Sequence, residues 1–314
     1  MNYRALSYGA GAVFIALLAV GGGYFAYAGL TGKAAGWGSH GVMHRLDVSL
    51  PVADPPLSLP PISGPNDPSL PLVVIDPGHG GRDPGAINDA ANGGKNTSRL
   101  MEKDVTLALS RSIRDGIVAQ GRVRVALTRD DDRYISLPER YEMARKMGAG
   151  LFLSIHADAA ENEEAQGASI YTLSETASDR EAARLAAREN GGAVINGVVL
   201  STGDGVDATK GMTADVSTIL IDLSQRDAMR SSADFAQILY REAGPYIGFR
   251  GRWHRYASLV VLKAPDMPSA LFEAGYISSA QDAARLADKA GRDKIAQGVA
   301  RAVGVYFARL SDSR

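Results

Sequence analysis

From Leu70 onward, short runs of consecutive apolar residues alternate with segments of helical period, and few folds accept that pattern. Runs such as VVID (73–76) and LFLSI (151–155) have no polar face, so strands made from them must be covered on both sides. The expected strands are Leu72–Ile75, Val123–Leu127, Leu151–Ile155, Ala168–Leu173, Leu259–Leu262 and Ala270–Phe272. The expected helices are Glu102–Ala119, Leu137–Met147, Asp179–Asn190, Ala214–Leu223, Ser231–Tyr246, Ala280–Ala287 and Asp293–Leu310. Val216, Ile219, Leu220 and Leu223 repeat at i, i+3, i+4 and i+7, which predicts one buried helix face. Together these predict an α/β fold, a single three-layer α/β/α domain around a mostly parallel twisted sheet, over residues 71–314.

What precedes that domain is of a different character. No residue between Arg4 and Lys33 is charged, and the apolar run GAVFIALLAVGGGYFAYAGL predicts a signal peptide or membrane anchor over residues 1–32. Arg4 favours a cytoplasmic N-terminus, which sends the rest of the chain across the inner membrane. Ala26-Tyr27-Ala28 offers small residues for cleavage, but the run is also long enough to stay as an anchor. Eight of the 21 residues from Pro51 to Pro71 are proline, so residues 33–70 read as an extended spacer. The chain carries 34 Lys and Arg against 35 Asp and Glu, which removes the electrostatic case for nucleic acid as a partner. It has no cysteine, which excludes disulfides, Cys-ligated zinc, iron–sulfur clusters and thiol nucleophiles.

Four residues stand where chemistry is expected. His79 follows the VVID strand in a Gly/Pro-rich turn, GHGGRDPG, that lets a ligand approach the backbone. The Walker pattern is absent there, so the turn is not a phosphate cradle. His156 ends the LFLSI strand, and strand C-termini are where open α/β sheets place their sites. Glu273 ends the run SALF, and a buried carboxylate there needs a partner or a task. Glu102 reads, on the residues alone, as an ordinary acid in the first turn of a helix. Two His and two Glu without Cys suit zinc or a similar cation, and the spacing is not HExxH. His254, in the polar run Gly251–Tyr256, reads as a surface residue.

Five blocks occur in order: IDPGHGGRDPGA, MEKDVTL, LTRDDDRYISLPER, LFLSIHADA and VLKAPDMPSALFEAGYIS. In that order they resemble the zinc-dependent N-acetylmuramoyl-L-alanine amidases of the amidase-3 type, from about Leu72 to the C-terminus. The resemblance implies Zn²⁺ held by His79, Glu102 and His156, with Glu273 as the catalytic carboxylate, and it overturns the bland reading of Glu102. It implies a periplasmic peptidoglycan hydrolase that cuts the bond between the lactyl group of N-acetylmuramic acid and L-alanine, in wall remodelling and cell separation. Asp76 is expected either to orient a metal ligand or to cap the turn.

Some members of that family carry an insert that covers the zinc and is displaced by a LytM-type activator protein. Residues 174–224 are the counterpart here, with Glu175 as the expected inhibitory ligand and Glu189 as its rival. The irregular stretch Gly191–Gly211 is expected to be a functional loop. Members with the insert often have an N-terminal wall-targeting domain, whereas only the apolar segment and the proline spacer stand here. The insert core VVLSTGDGVDATKGM also departs from the usual pattern. The alternatives to an amidase are a zinc metallopeptidase acting on wall peptides and a non-catalytic peptidoglycan-binding module.

Overall fold

In the computed structural model, residues 57–89, 99–160, 165–191 and 214–312 are described, along with the backbone of two paired strands at 194–195 and 198–199. The expected signal or anchor, most of the spacer and most of the irregular loop lie outside them. Among the described residues, eleven strands, several only two residues long, flank six helices. The strands are β1 (Ile62–Ser63), β2 (Leu72–Pro77), β3 (Ile87–Asn88), β4 (Leu100–Met101), β5 (Arg124–Leu127), β6 (Leu151–His156), β7 (Ala168–Leu173), β8 (Val194–Ile195), β9 (Val198–Val199), β10 (Phe249–Ala257) and β11 (Ser269–Glu273). The helices are α1 (Glu102–Val118), α2 (Leu137–Lys146), α3 (Arg180–Glu189), α4 (Ala214–Ala243), α5 (Ala280–Ala287) and α6 (Lys289–Asp312).

Seven strands form the main sheet in the order β1-β5-β2-β6-β11-β7-β10. The central four are parallel, while β7 runs antiparallel to β11 and β10 runs parallel to β7. Alternation along each strand feeds two cores. Val73, Ile75, Leu153, Ile155 and Phe272 pack against α1, α4 and α6, while Leu72, Val74, Phe152, Tyr171 and Leu271 pack with Ala182, Leu185 and Ala186 of α3. In α1, Val105, Leu109, Ile113 and Ile117 recur every fourth residue and are all buried, which makes one apolar stripe. Helix α2 starts at Ser136 with a capping box closed by Glu139.

Several expectations change. The run Leu259–Leu262 is a buried 3₁₀ turn over Val260–Leu262, since four apolar residues do not reveal strand or helix by period alone. The two helices expected at 214–223 and 231–246 are one, because SQRDAMR between them holds no Gly or Pro. Leu223, expected on its buried face, is 54% exposed. The polar run around His254 belongs to the edge strand β10, whose charged residues suit an unpaired edge. His254 is half-buried there, 3.0 Å from Thr172 Oγ1, and burial lowers its pKa. The last part of the proline-rich stretch is not a free spacer: β1 pairs antiparallel with β5, and Arg124 donates to the carbonyls of Leu70 and Pro68.

Candidate metal centre and active site

The sheet delivers three of the four candidate residues to one rim. Strand β2 leads into the His79 turn, His156 ends β6, and Glu273 ends β11 in direct register with His156. Glu102, the first residue of α1, meets them through a backbone N–H from Ala86 (2.9 Å) and one from Ala157 (2.9 Å) on its two oxygens. The turn is tight. A Cβ at Gly78 would lie 2.6 Å from His156 Cε1, and one at Gly85 would lie 2.7 Å from Glu102 Oε2.

His79 itself has φ 61°, an uncommon conformation for a residue with a side chain. Two buried arginines grip the strained segment. Arg129 donates to the carbonyls of Pro77 (3.0 Å), Gly78 (2.7 Å) and Lys103 (2.9 Å). Arg140 donates to Pro77 (2.8 Å) and His79 (2.8 Å). Three successive carbonyls are thereby fixed, and Arg129 also ties them to the start of α1. Burial and the neighbouring Arg140 bring the Arg129 pKa down to about 10.

The two imidazoles converge on one carboxylate. His79 Nε2 lies 3.2 Å from Glu102 Oε2, and His156 Nδ1 lies 3.2 Å from Glu102 Oε1. Glu189, the last residue of α3, joins at 3.7 Å from His79 Nε2 and 3.4 Å from His156 Nδ1. One ligand atom each from His79, His156 and Glu189 fall within 4.8 Å of one another. Both facing ring nitrogens are buried without a hydrogen-bond partner. On the other side of its ring, His79 Nδ1 sits 3.0 Å from Asp83 Oδ2, which fixes the ring and leaves Nε2 for a ligand. Burial opposes a charge on His79, yet Glu102, Asp83 and Glu189 raise its pKa to about 11. Burial likewise opposes the Glu102 charge, but His79 and His156 pull its pKa well below the usual range. Two orphaned imidazole nitrogens among carboxylates fit a divalent cation with mixed N and O ligands.

Glu273 behaves differently. Burial, then Glu102 and Glu189, push its pKa well above the ordinary carboxylate range. Its Oε2 accepts a bond from the Asp158 N–H at 3.2 Å, while the buried Oε1 has no partner.

The expectation for Glu175 is corrected, and for Asp76 the contacts favour the turn-holding alternative over the orientation of a metal ligand. Glu175 is exposed and far from the cluster in the fold, because β7 runs opposite to β11 and so carries the chain to the other end of the sheet. Helix α3 then returns to the rim, and Glu189, the rival, is the acid that arrives. Asp76 bonds neither histidine. Its oxygens accept from Thr128 (2.6 Å), Arg140 (2.9 Å) and Ser154 (2.8 Å), so it braces the turn through Arg140. Burial works against its charge, but Arg140, Thr128 and Ser154 hold its pKa below the usual value. Asp76→Ala leaves the Arg140 guanidinium buried without its counter-ion and is expected to cost about 3–5 kcal/mol in urea unfolding. A loss under about 1 kcal/mol would refute the brace.

Sequence reasoning missed Asp83, Arg129 and Arg140 as parts of the site. Asp83, four residues after His79 in the same turn, was the available signal for the first. The arginines lie in the quoted LTRDDDRYISLPER block, but nothing local shows that they fold inward.

The Amidase_3 family model, described as N-acetylmuramoyl-L-alanine amidase, matches residues 73–304. The N-acetylmuramoyl-L-alanine amidase AmiA of Escherichia coli is 36% identical over 237 residues, which are 75% of this chain and 76% of AmiA. AmiC of Escherichia coli O6:H1 is 33% identical over 81% of this chain and 57% of its own length. Among solved structures, the amidase AmiC2 of Nostoc punctiforme superimposes with a TM-score of 0.50 at 26% identity, covering 76% of this chain and 97% of AmiC2. The order of strands, the residues gathered at their ends and these matches agree, and the chain belongs to the amidase-3 family of N-acetylmuramoyl-L-alanine amidases.

Proposed function

We propose that His79, Glu102 and His156 hold a zinc ion and that Glu273 moves the protons of amide hydrolysis. The observation that carries the reading is the pair of buried, unpartnered ring nitrogens, His79 Nε2 and His156 Nδ1, converging on Glu102 one strand away from Glu273. As a family member the protein is a peptidoglycan hydrolase, and the bond cut is the amide between the lactyl group of N-acetylmuramic acid and L-alanine of the stem peptide.

A zinc ion held by His79, Glu102 and His156 would supply a Lewis acid for the amide carbonyl and would lower the pKa of water. Glu273 then acts through its free Oε1, taking a proton from the attacking water and passing it to the departing alanine amine. Burial and the neighbouring carboxylates raise its pKa, which favours its holding the proton between the two transfers. The Asp158 N–H holds the other oxygen and so aims the carboxylate.

The same reading makes α3 an inhibitory segment, with Glu189 in the position that substrate must occupy. A carboxylate in the last turn of a helix faces the negative end of the helix dipole, so Glu189 is mildly disfavoured there unless a positive partner faces it. Polar links hold the helix down: Arg188 pairs with Asp158, and Asn190 bonds the backbone of Ser258 and Val260. An activator of LytM type that competes for them would free the cluster. The domain works in the periplasm, exported or anchored through residues 1–32; among the described residues no helix is long and apolar enough to cross a membrane.

Mass spectrometry of purified sacculi incubated with the zinc-loaded protein tests the activity. Intact stem peptides with a free L-alanine amine, beside glycan with a free lactyl carboxylate, are expected. Cleavage inside the stem would instead make the protein a peptidase, and binding without any product would make it a wall-binding module.

A further inference from the structure

Helix α3 presents a second carboxylate to a second receptor. Glu181, in its first turn, lies in a cradle made by other parts of the domain. Arg250 and the Tyr276 hydroxyl (3.3 Å) both donate to its Oε1, and Arg255 Nη2 lies 3.0 Å from its Oε2. Arg250 also donates to the Tyr276 hydroxyl at 3.0 Å and lies 5.3 Å from the centre of that ring. The floor of the cradle is buried, with Arg255 6% and Tyr276 3% exposed, while the Arg250 and Glu181 side chains at its mouth are partly exposed. Behind it a cavity of about 160 Å³ is lined by Tyr171, Arg188, Arg250 and Tyr276. The Tyr171 hydroxyl in its wall is buried and has no partner.

Both acids that neutralise Arg255 belong to the α3 segment: Glu181 and the helix cap Asp179, which also pairs with Arg252. The receptor groups do not belong to it. Arg250 and Arg255 stand on β10, and Tyr276 follows β11. When α3 leaves, the buried guanidinium of Arg255 and the partly buried one of Arg250 lose their counter-charges, which is costly for Arg255 unless another anion takes the place. The cradle lies on the same rim as the catalytic carboxylate. Ser169 of β7 is in register with Glu273, and the bulge of β10 that carries Arg250 stands opposite Ala168–Ile170. Two strand spacings put it on the order of 10 Å from Glu273, the reach of about three extended residues.

We propose that Arg250, Arg255 and Tyr276 form a receptor for a carboxylate on the peptide arm of the substrate. Glu181 is its internal stand-in while α3 covers the site. The proposal rests on the reading that α3 must leave for substrate to enter. It makes the arm's charge, about two to three residues beyond the bond that breaks, a determinant of specificity.

The test measures binding calorimetrically, using the full-length zinc-loaded protein with Glu273→Gln to silence turnover. The two ligands are one muropeptide with free peptide carboxylates and the same muropeptide with those carboxylates amidated. The free acid is expected to bind at least tenfold tighter. Arg250→Gln is expected to bring that ratio close to one by weakening the free acid alone, and Arg250→Lys to restore part of it. Glu181→Ala, which removes the competitor, is expected to widen it. A ratio near one in the parent, a ratio unchanged by Arg250→Gln, or a ratio narrowed by Glu181→Ala would overturn the proposal. Failure of the amidase reading shows separately, as absence of amide cleavage of either muropeptide by protein with Glu273 intact.

Discussion

Glu273→Ala is expected to lower amide hydrolysis by about 10²–10⁴-fold while the protein keeps its metal. The residue ends a central strand whose backbone bonds do not depend on its side chain, so the sheet should survive. Its Oε2 contact is one backbone N–H, and its Oε1 has none, so few bonds are lost. The histidine pair and Glu102 stay as they are, and zinc content measured by atomic absorption should match the parent. Loss of both zinc and activity would place Glu273 among the ligands. Full activity would remove it from the chemistry.

Glu189→Ala is expected to act in the opposite direction and raise basal turnover. On the proposed reading, the glutamate oxygen, 3.4 Å from His156 Nδ1 and 3.7 Å from His79 Nε2, stands where the scissile amide must enter. A charge-assisted contact contributes about 1.5–3 kcal/mol, so relief on the order of 10–100-fold is expected without activator. Zinc affinity should fall less than in His79→Ala or His156→Ala. The sign decides the role, since an essential permanent ligand at position 189 would give lower activity and weaker zinc retention. Activator added to the variant should give a smaller further gain than it gives the parent.

Most of the central sheet could be read from sequence because its strands are covered on both faces, and a strand like Leu151–His156 then reads as an almost continuous apolar run, broken only by Ser154 and the site residue His156. The edges were harder for the same reason in reverse. Strand β10 carries Arg250, Arg252 and Arg255 because an edge faces water and ion-pair partners, and its sequence therefore looks like a loop. At the site, the histidines and Glu273 announced themselves by standing at strand ends. Glu102 did not, because an acid at a helix start has an ordinary explanation, and only the resemblance picked it out. The choice between Glu175 and Glu189 turned on the direction of one strand. Chain reversal at β7 is a tertiary fact, and neither residue's neighbours in sequence record it.

That reversal also has a bearing on how such an enzyme can diversify. The strands that carry the histidines and Glu273 lie among the parallel β5-β2-β6-β11 set, while β7 and β10 sit at one margin of the sheet. The described residues 174–191, which include α3, follow β7 at that margin, where chain can be lengthened, shortened or exchanged without altering the register of the strands that carry the site. On the proposed reading of α3 as an inhibitory segment, the control element is modular. One hydrolytic core can be wired to different triggers by replacing a peripheral stretch of chain, and a shorter stretch would leave an enzyme that is always on.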